Sequence, residues 1–183
     1  MKPRRTLISV IPQAGALWLL LVMAASSTAT PPSPTPNLAA LIECRQRVAD
    51  FAQIFPASHD PLKSVALGWR PLPSSNPFMT EFALLRPIAI FGHMTHQIAF
   101  SGGSIMAVLD LADPHPLAKS LHLVPAVDNA DKVMFGRELL SRDTTNPATG
   151  IPAIESIVLN VATVHTHPGK TLVGCNYSLD DPD

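Results

Sequence analysis

Residues 161–177 read V-A-T-V-H-T-H-P-G-K-T-L-V-G-C-N-Y, and this stretch decides the fold. Two apolar, β-rich runs flank Pro168-Gly169. That pair suits the centre of a type II turn, because proline presets the first φ and glycine supplies the positive second one. The pattern predicts a β-hairpin with a two-residue turn, pairing His167 with Lys170, His165 with Leu172 and Ala162 with Cys175. Side chains alternate along a strand. Cys175 is therefore expected to share a face with Val158, Ala162, Val164 and Val173, and His165 and His167 to occupy the other face. A one-residue slip would exchange those faces.

Cys175 is one of two cysteines, and the other is Cys44. Asn37 is a good N-cap, and Leu38, Leu41, Cys44, Val48, Phe51 and Phe55 recur at helical spacing. One helix is predicted from Asn37 to Phe55, ended by Pro56, with Cys44 on its apolar stripe. Two cysteines in an exported chain read as a disulfide. A Cys44–Cys175 bond would press the helix onto the Cys175 face of the hairpin and leave the histidine face outward.

Between these ends, residues 57–77 read as a loop broken by Pro61, Pro71, Pro73 and Pro77, with Leu67-Gly68-Trp69 docking as an apolar plug. Strand-like runs at 82–85, 88–91, 97–100 and 105–109 suggest a meander punctuated by Pro87, Gly92 and Ser101-Gly102-Gly103-Ser104. Asp113-Pro114 opens a short helix with Leu117, Leu121 and Ala118 inward, which must stop before Pro125. Residues 132–140 form a further strand candidate, 141–152 a polar loop, and 154–164 a central strand, apolar on both faces except at Asn160. The expected fold class is α+β: a mainly antiparallel sheet, the N-terminal helix on one face, and one short second helix.

The N-terminus reads as a leader. Lys2, Arg4 and Arg5 precede an apolar run at 14–25, and Ser27-Thr28-Ala29 places cleavage after Ala29. The Arg4-Arg5 pair also fits a twin-arginine signal, though the general secretory route is preferred. Residues 1–29 are thus a cleaved signal peptide, 30–36 a proline-rich linker, and 37–183 a single α+β domain. The expected location is exported, periplasmic or secreted, with no stable membrane span after cleavage. Cleavage removes three basic residues and no acidic one, leaving 10 against 14, a formal charge of −4. The mild acidity and the lack of a basic cluster disfavour both nucleic acid and anionic membrane surfaces as partners, so no nucleic acid is expected.

His165-Thr166-His167-Pro168 is the one local match to a chemical motif. Two histidines at i and i+2 on a strand point the same way and can share a metal, with zinc or copper as candidate ions. H-T-H-P followed by Ser178 and Asp181 resembles the core of the JAMM zinc metalloprotease family. The resemblance implies His165, His167 and Asp181 as ligands, Ser178 as a stabilising group, and Glu138 or Glu81 as general base. Nine residues separate Pro168 from Ser178, more than the family uses, and most of them read as a strand. Fewer than twenty residues carry the likeness. His93-Met94-Thr95-His96 is a second pair beside a thioether, suited to copper. Gly169-Lys170-Thr171 lacks the earlier glycine of a P-loop, and no Gly-x-Ser-x-Gly elbow exists. The favoured reading is a small disulfide-stabilised domain of uncharacterised role that binds or associates structurally in the cell envelope or outside it, with no cofactor expected and a protein as the candidate partner. The alternative is a metal-binding protein or zinc hydrolase centred on His165 and His167.

Overall fold

The computed structural model describes residues 36–73, 75–130 and 132–181. The leader at 1–29 and nearly all of the 30–36 linker lie outside the described residues. The fold is α+β, an eight-stranded antiparallel sheet with short helices packed against it. The strands are β1 Trp69–Leu72, β2 Thr80–Ile90, β3 His93–Ser101, β4 Ser104–Leu109, β5 Val124–Asp128, β6 Val133–Thr145, β7 Pro152–Ala162 and β8 Thr171–Asp180. Their spatial order is β1-β2-β3-β4-β8-β7-β6-β5.

The hairpin forms, but in a different register. Ala162 pairs with Leu172 and Leu159 with Cys175. The strands stop at Ala162 and restart at Thr171, so an eight-residue loop replaces the two-residue turn. The loop turns through two bonds of its own, His167 N–H to the Val164 carbonyl and Lys170 N–H to the His167 carbonyl. The odd slip reverses the assigned faces. Cys175 shares its face with Ile157, Leu159 and Val161, all buried, while Val158, Asn160 and Ala162 lie on the other face, half-buried.

The single N-terminal helix is two helices, α1 Leu38–Ile42 and α2 Val48–Ile54, continued by a 3-10 turn at Phe55–Ser58. Asn37 caps α1 as expected, accepting from the Ala40 amide at 3.0 Å. The break falls at Cys44, whose φ is +57°. A left-handed residue cannot continue a right-handed helix, and here it turns the chain toward the sheet. Asp50 then restarts the helix by accepting from the Arg47 amide at 3.1 Å. Cys44 and Cys175 form a disulfide with Cα atoms 5.2 Å apart. Around it Leu41, Ile42, Phe51 and Ile54 pack onto Phe100, Ile105, Leu159, Val173 and Tyr177. The Tyr177 ring stacks on Phe51 at 5.0 Å, and its buried hydroxyl donates to the Leu41 carbonyl at 2.8 Å.

Proline misled the reading of 57–77. Asp60 caps a third helix, α3 Pro61–Ala66, and Pro61 occupies its first turn, where no amide hydrogen is needed. Pro71 lies in β1, which tolerates it as an edge strand. Trp69 docks as expected, buried against Phe82 and Phe100. The opposite edge is β5, again with a proline, Pro125, and an irregular register at Pro125/Val127. The short helix is α4 His115–Ser120, with Leu117 and Ala118 buried. The polar stretch after Leu140 continues as strand to Thr145, paired with Pro152. Its side chains are mostly exposed, so backbone pairing rather than burial holds it.

Candidate functional site

Helix residues Leu41, Ile42, Phe51, Ile54, Leu117 and Ala118 all join the core on the Cys175 face. Among the described residues the other face of the sheet has a small cluster, Met79, Ala99, Val108 and Leu172, and no helix residue belongs to it. Cross-strand pairing builds a row on this face: Glu81, Ala99, Met106, Gly174, Asn160 and Gly136, from β2 across to β6. Small residues at three of these six positions leave a trough. Gly174 is obligatory, since a Cβ there would collide with the Ile105 carbonyl and the Met106 backbone. A Cβ at Gly136 would meet the Asn160 side-chain oxygen at 3.2 Å.

Its middle part, Met106, Gly174 and Asn160, lines a groove of about 440 Å³. Met106, Met134, Val158, Ala162 and Leu172 line it from the sheet, and Phe78 stands beside it, 81% exposed. Polar groups are few and placed at intervals. Ser104 donates to Asn176 Oδ1 at 3.0 Å, and Asn160 Nδ2 donates to the Val158 carbonyl at 3.2 Å. The Asn176 amide nitrogen and the Asn160 oxygen keep hydrogen-bonding capacity. An adjoining cavity of about 330 Å³ shares Asn76, Phe78 and Val164 with the groove and reaches Lys132 and His165.

His167 is buried at one border of this face. Its Nε2 donates to Glu81 Oε2 at 3.0 Å, and Gln97 Nε2 donates to the same oxygen at 2.6 Å. With Nε2 carrying the hydrogen, Nδ1 accepts from the Thr166 hydroxyl at 3.0 Å. The carboxylate, imidazole and hydroxyl form a line. The last link joins chain neighbours, and the His167–Glu81 bond is what braces the 163–170 loop against β2.

The metal reading is overturned. Among the described residues no group of three or more His, Cys, Asp or Glu side chains could hold a metal ion. His165 is exposed and His167 is buried and engaged with Glu81, so the pair does not converge. Asp181 follows β8 at its far end, ten residues from Thr171, roughly 33 Å along an extended strand. Ser178 pairs with Ser156 inside the sheet, and Glu138 is exposed on β6. Zinc and copper are therefore withdrawn as cofactors. Of the residues the JAMM resemblance implied, the fold joins only His167 and Glu81, and it joins them to each other. His93 and His96 lie on β3 without completing a metal set among the described residues.

Compared with protein-family models, with curated proteins and with solved structures, the chain matches none. The candidate site therefore rests on the geometry of this chain.

Titration is perturbed away from the groove. His115 stands between Asp113 and Asp128, at 2.6 and 3.2 Å, and those carboxylates raise its pKa above the ordinary 6.5. The His115 amide and ring together lower that of Asp113. Burial pushes the Tyr177 phenol well above its usual range. The residues missed from sequence are Asn160, Asn176, Ser104, Met106 and Met134. Asn160 is visible in the sequence as a polar residue inside the apolar run I-V-L-N-V-A, but that run alone does not mark it as a floor position.

Proposed function

We propose that the protein is a small exported binding domain, acting in the cell envelope or outside the cell, whose sheet takes, on the face opposite the described helices, an apolar small molecule bearing a hydrogen-bonding group. One observation carries this reading: the groove of about 440 Å³ on the face that, among the described residues, no helix covers. Its size falls within the range of small-molecule sites, about 300–1,000 Å³, and mostly apolar walls with a few polar groups are the usual composition of such sites. Methionine side chains adapt to irregular apolar shapes, which suits Met106 and Met134 on opposite sides of Gly174. Asn160 and Asn176 offer both a donor and an acceptor to the ligand's polar group. The basic n-region, the apolar run and the small residues before Thr30 support export.

The test is titration with the fluorescent apolar probe N-phenyl-1-naphthylamine, on the wild type and on Ala162→Phe. The substitution places a ring inside the groove without touching the helix-covered core. Saturable binding is expected in the wild type, and binding at least tenfold weaker in the variant, with unchanged circular dichroism. Equal binding in both proteins would remove the groove as the site.

A further inference from the structure

We infer that the β1 edge of the sheet rests on an anionic lipid surface, through an apolar cluster ringed by cations. The inference is independent of the groove. α3 turns Leu62 and Val65 outward, 84% and 61% exposed, while its Ser64 is fully buried. The helix is thus inverted, with apolar residues on the solvent side. The chain then turns back on itself. Gly68 donates to the Val65 carbonyl, and the Gly68 carbonyl accepts from the Leu85 amide at 3.1 Å. Leu85 is 80% exposed and lies where the β2–β3 register is irregular. Three large apolar side chains are therefore displayed at one edge, a placement that water disfavours.

The charge around them is one-sided. Lys63, Arg70 and Arg86 are exposed on the same elements. Asp60 caps α3 and pairs with Lys63 at 3.6 Å. Arg70 and Arg86 have no ion pair among the described residues. This local excess contrasts with the formal charge of −1 for the whole chain. Apolar residues inserted between cations are what an interfacial lipid contact requires: the apolar groups enter the headgroup boundary and the cations meet anionic phosphates.

Leu38, at the start of α1, lines a cleft with Leu67, Leu85 and Arg86 at the same edge. A short α3 and a single protruding leucine give a shallow contact and not a span. Among the described residues no helix is long and apolar enough to cross a membrane.

The test uses the full chain with mixed phosphatidylethanolamine and phosphatidylglycerol vesicles whose acyl chains are brominated. Leu85→Trp places an indole in the cluster, and Leu139→Trp places one on β6, five strands away in the sheet. Both substitutions are made on a Trp18→Phe background, so no indole of the N-terminal segment reports, and the signal of Trp69, common to both proteins, is subtracted with that parent. Bromine quenching is expected for the indole at position 85 and not for that at 139. The apparent affinity read at position 85 should fall at least tenfold on neutral phosphatidylcholine vesicles. It should fall equally when Lys63, Arg70 and Arg86 are all changed to Gln, since each cation near such a surface contributes about fivefold. No quenching at 85, equal quenching at both positions, or quenching indifferent to these charges would overturn the inference.

Discussion

Replacing both Cys44 and Cys175 with alanine removes a crosslink between residues 131 apart in sequence. In the chain-entropy model a closed loop of that length restrains the unfolded chain by about 5 kcal/mol. Part of this is offset. Cys44 holds a left-handed backbone conformation that costs a non-glycine residue about 1 kcal/mol, and without the bond the turn between α1 and α2 can relax. The net loss is then about 4 kcal/mol, a large share of the stability of a typical domain. Trp69, buried against Phe82 and Phe100, gives a fluorescence signal for urea unfolding. With a slope of about 2 kcal/mol per molar, the midpoint should drop by about 2 M. A drop below about 0.5 M would refute the reasoning. It would mean that Leu41, Ile42, Phe51 and Ile54 hold the helices on the sheet without the crosslink.

Tyr177→Phe removes only the hydroxyl that donates to the Leu41 carbonyl. That carbonyl still accepts from the Cys44 amide, so the loss should be about 1 kcal/mol, seen as a fall in melting temperature of about 2–4 °C; an unchanged melting temperature would show that the bond contributes nothing net. His115 should titrate above 6.5, because Asp113 and Asp128 favour its charged form. A raised folded-state pKa gives stability that is complete below pH 6.5 and lost as pH rises through the folded value. His115→Gln should therefore destabilise more at pH 6 than at pH 9, and an NMR titration midpoint below 6.5 would contradict the assignment.

The elements with strong periodicity were legible. The meander, the Asn37 cap, the central β7 and the Cys44–Cys175 bond follow from apolar spacing and cysteine number. What failed has local causes. Pro61 and Pro71 were read as breakers, although a helix's first turn and an edge strand both accept proline. Pro168-Gly169 was read as a complete hairpin turn, yet His167 and Lys170 make the bonds that widen the loop to eight residues. That slip hid the site, because it put Val158 and Ala162 on the cysteine's face. Asn160, Gly174 and Gly136 gain meaning only when three strands lie side by side, and no single stretch of sequence contains that row. The histidine pair failed as a metal motif because a loop, and not a strand, carries it.

The position of β8 has a consequence for how the chain reaches its native state. β1 to β4 pair with their successors in order, and so do β5 to β7; β8 alone joins the two groups, lying between β4 and β7. Residues 171–180 are thus made after every other strand but are needed at the middle of the sheet. While they are missing, two meanders exist, each with an unpaired edge that can meet the wrong partner. Such long-range closure is intrinsically slow. A chain built this way cannot close its sheet until residues 171–180 are made, and insertion of that one strand then joins both meanders at once.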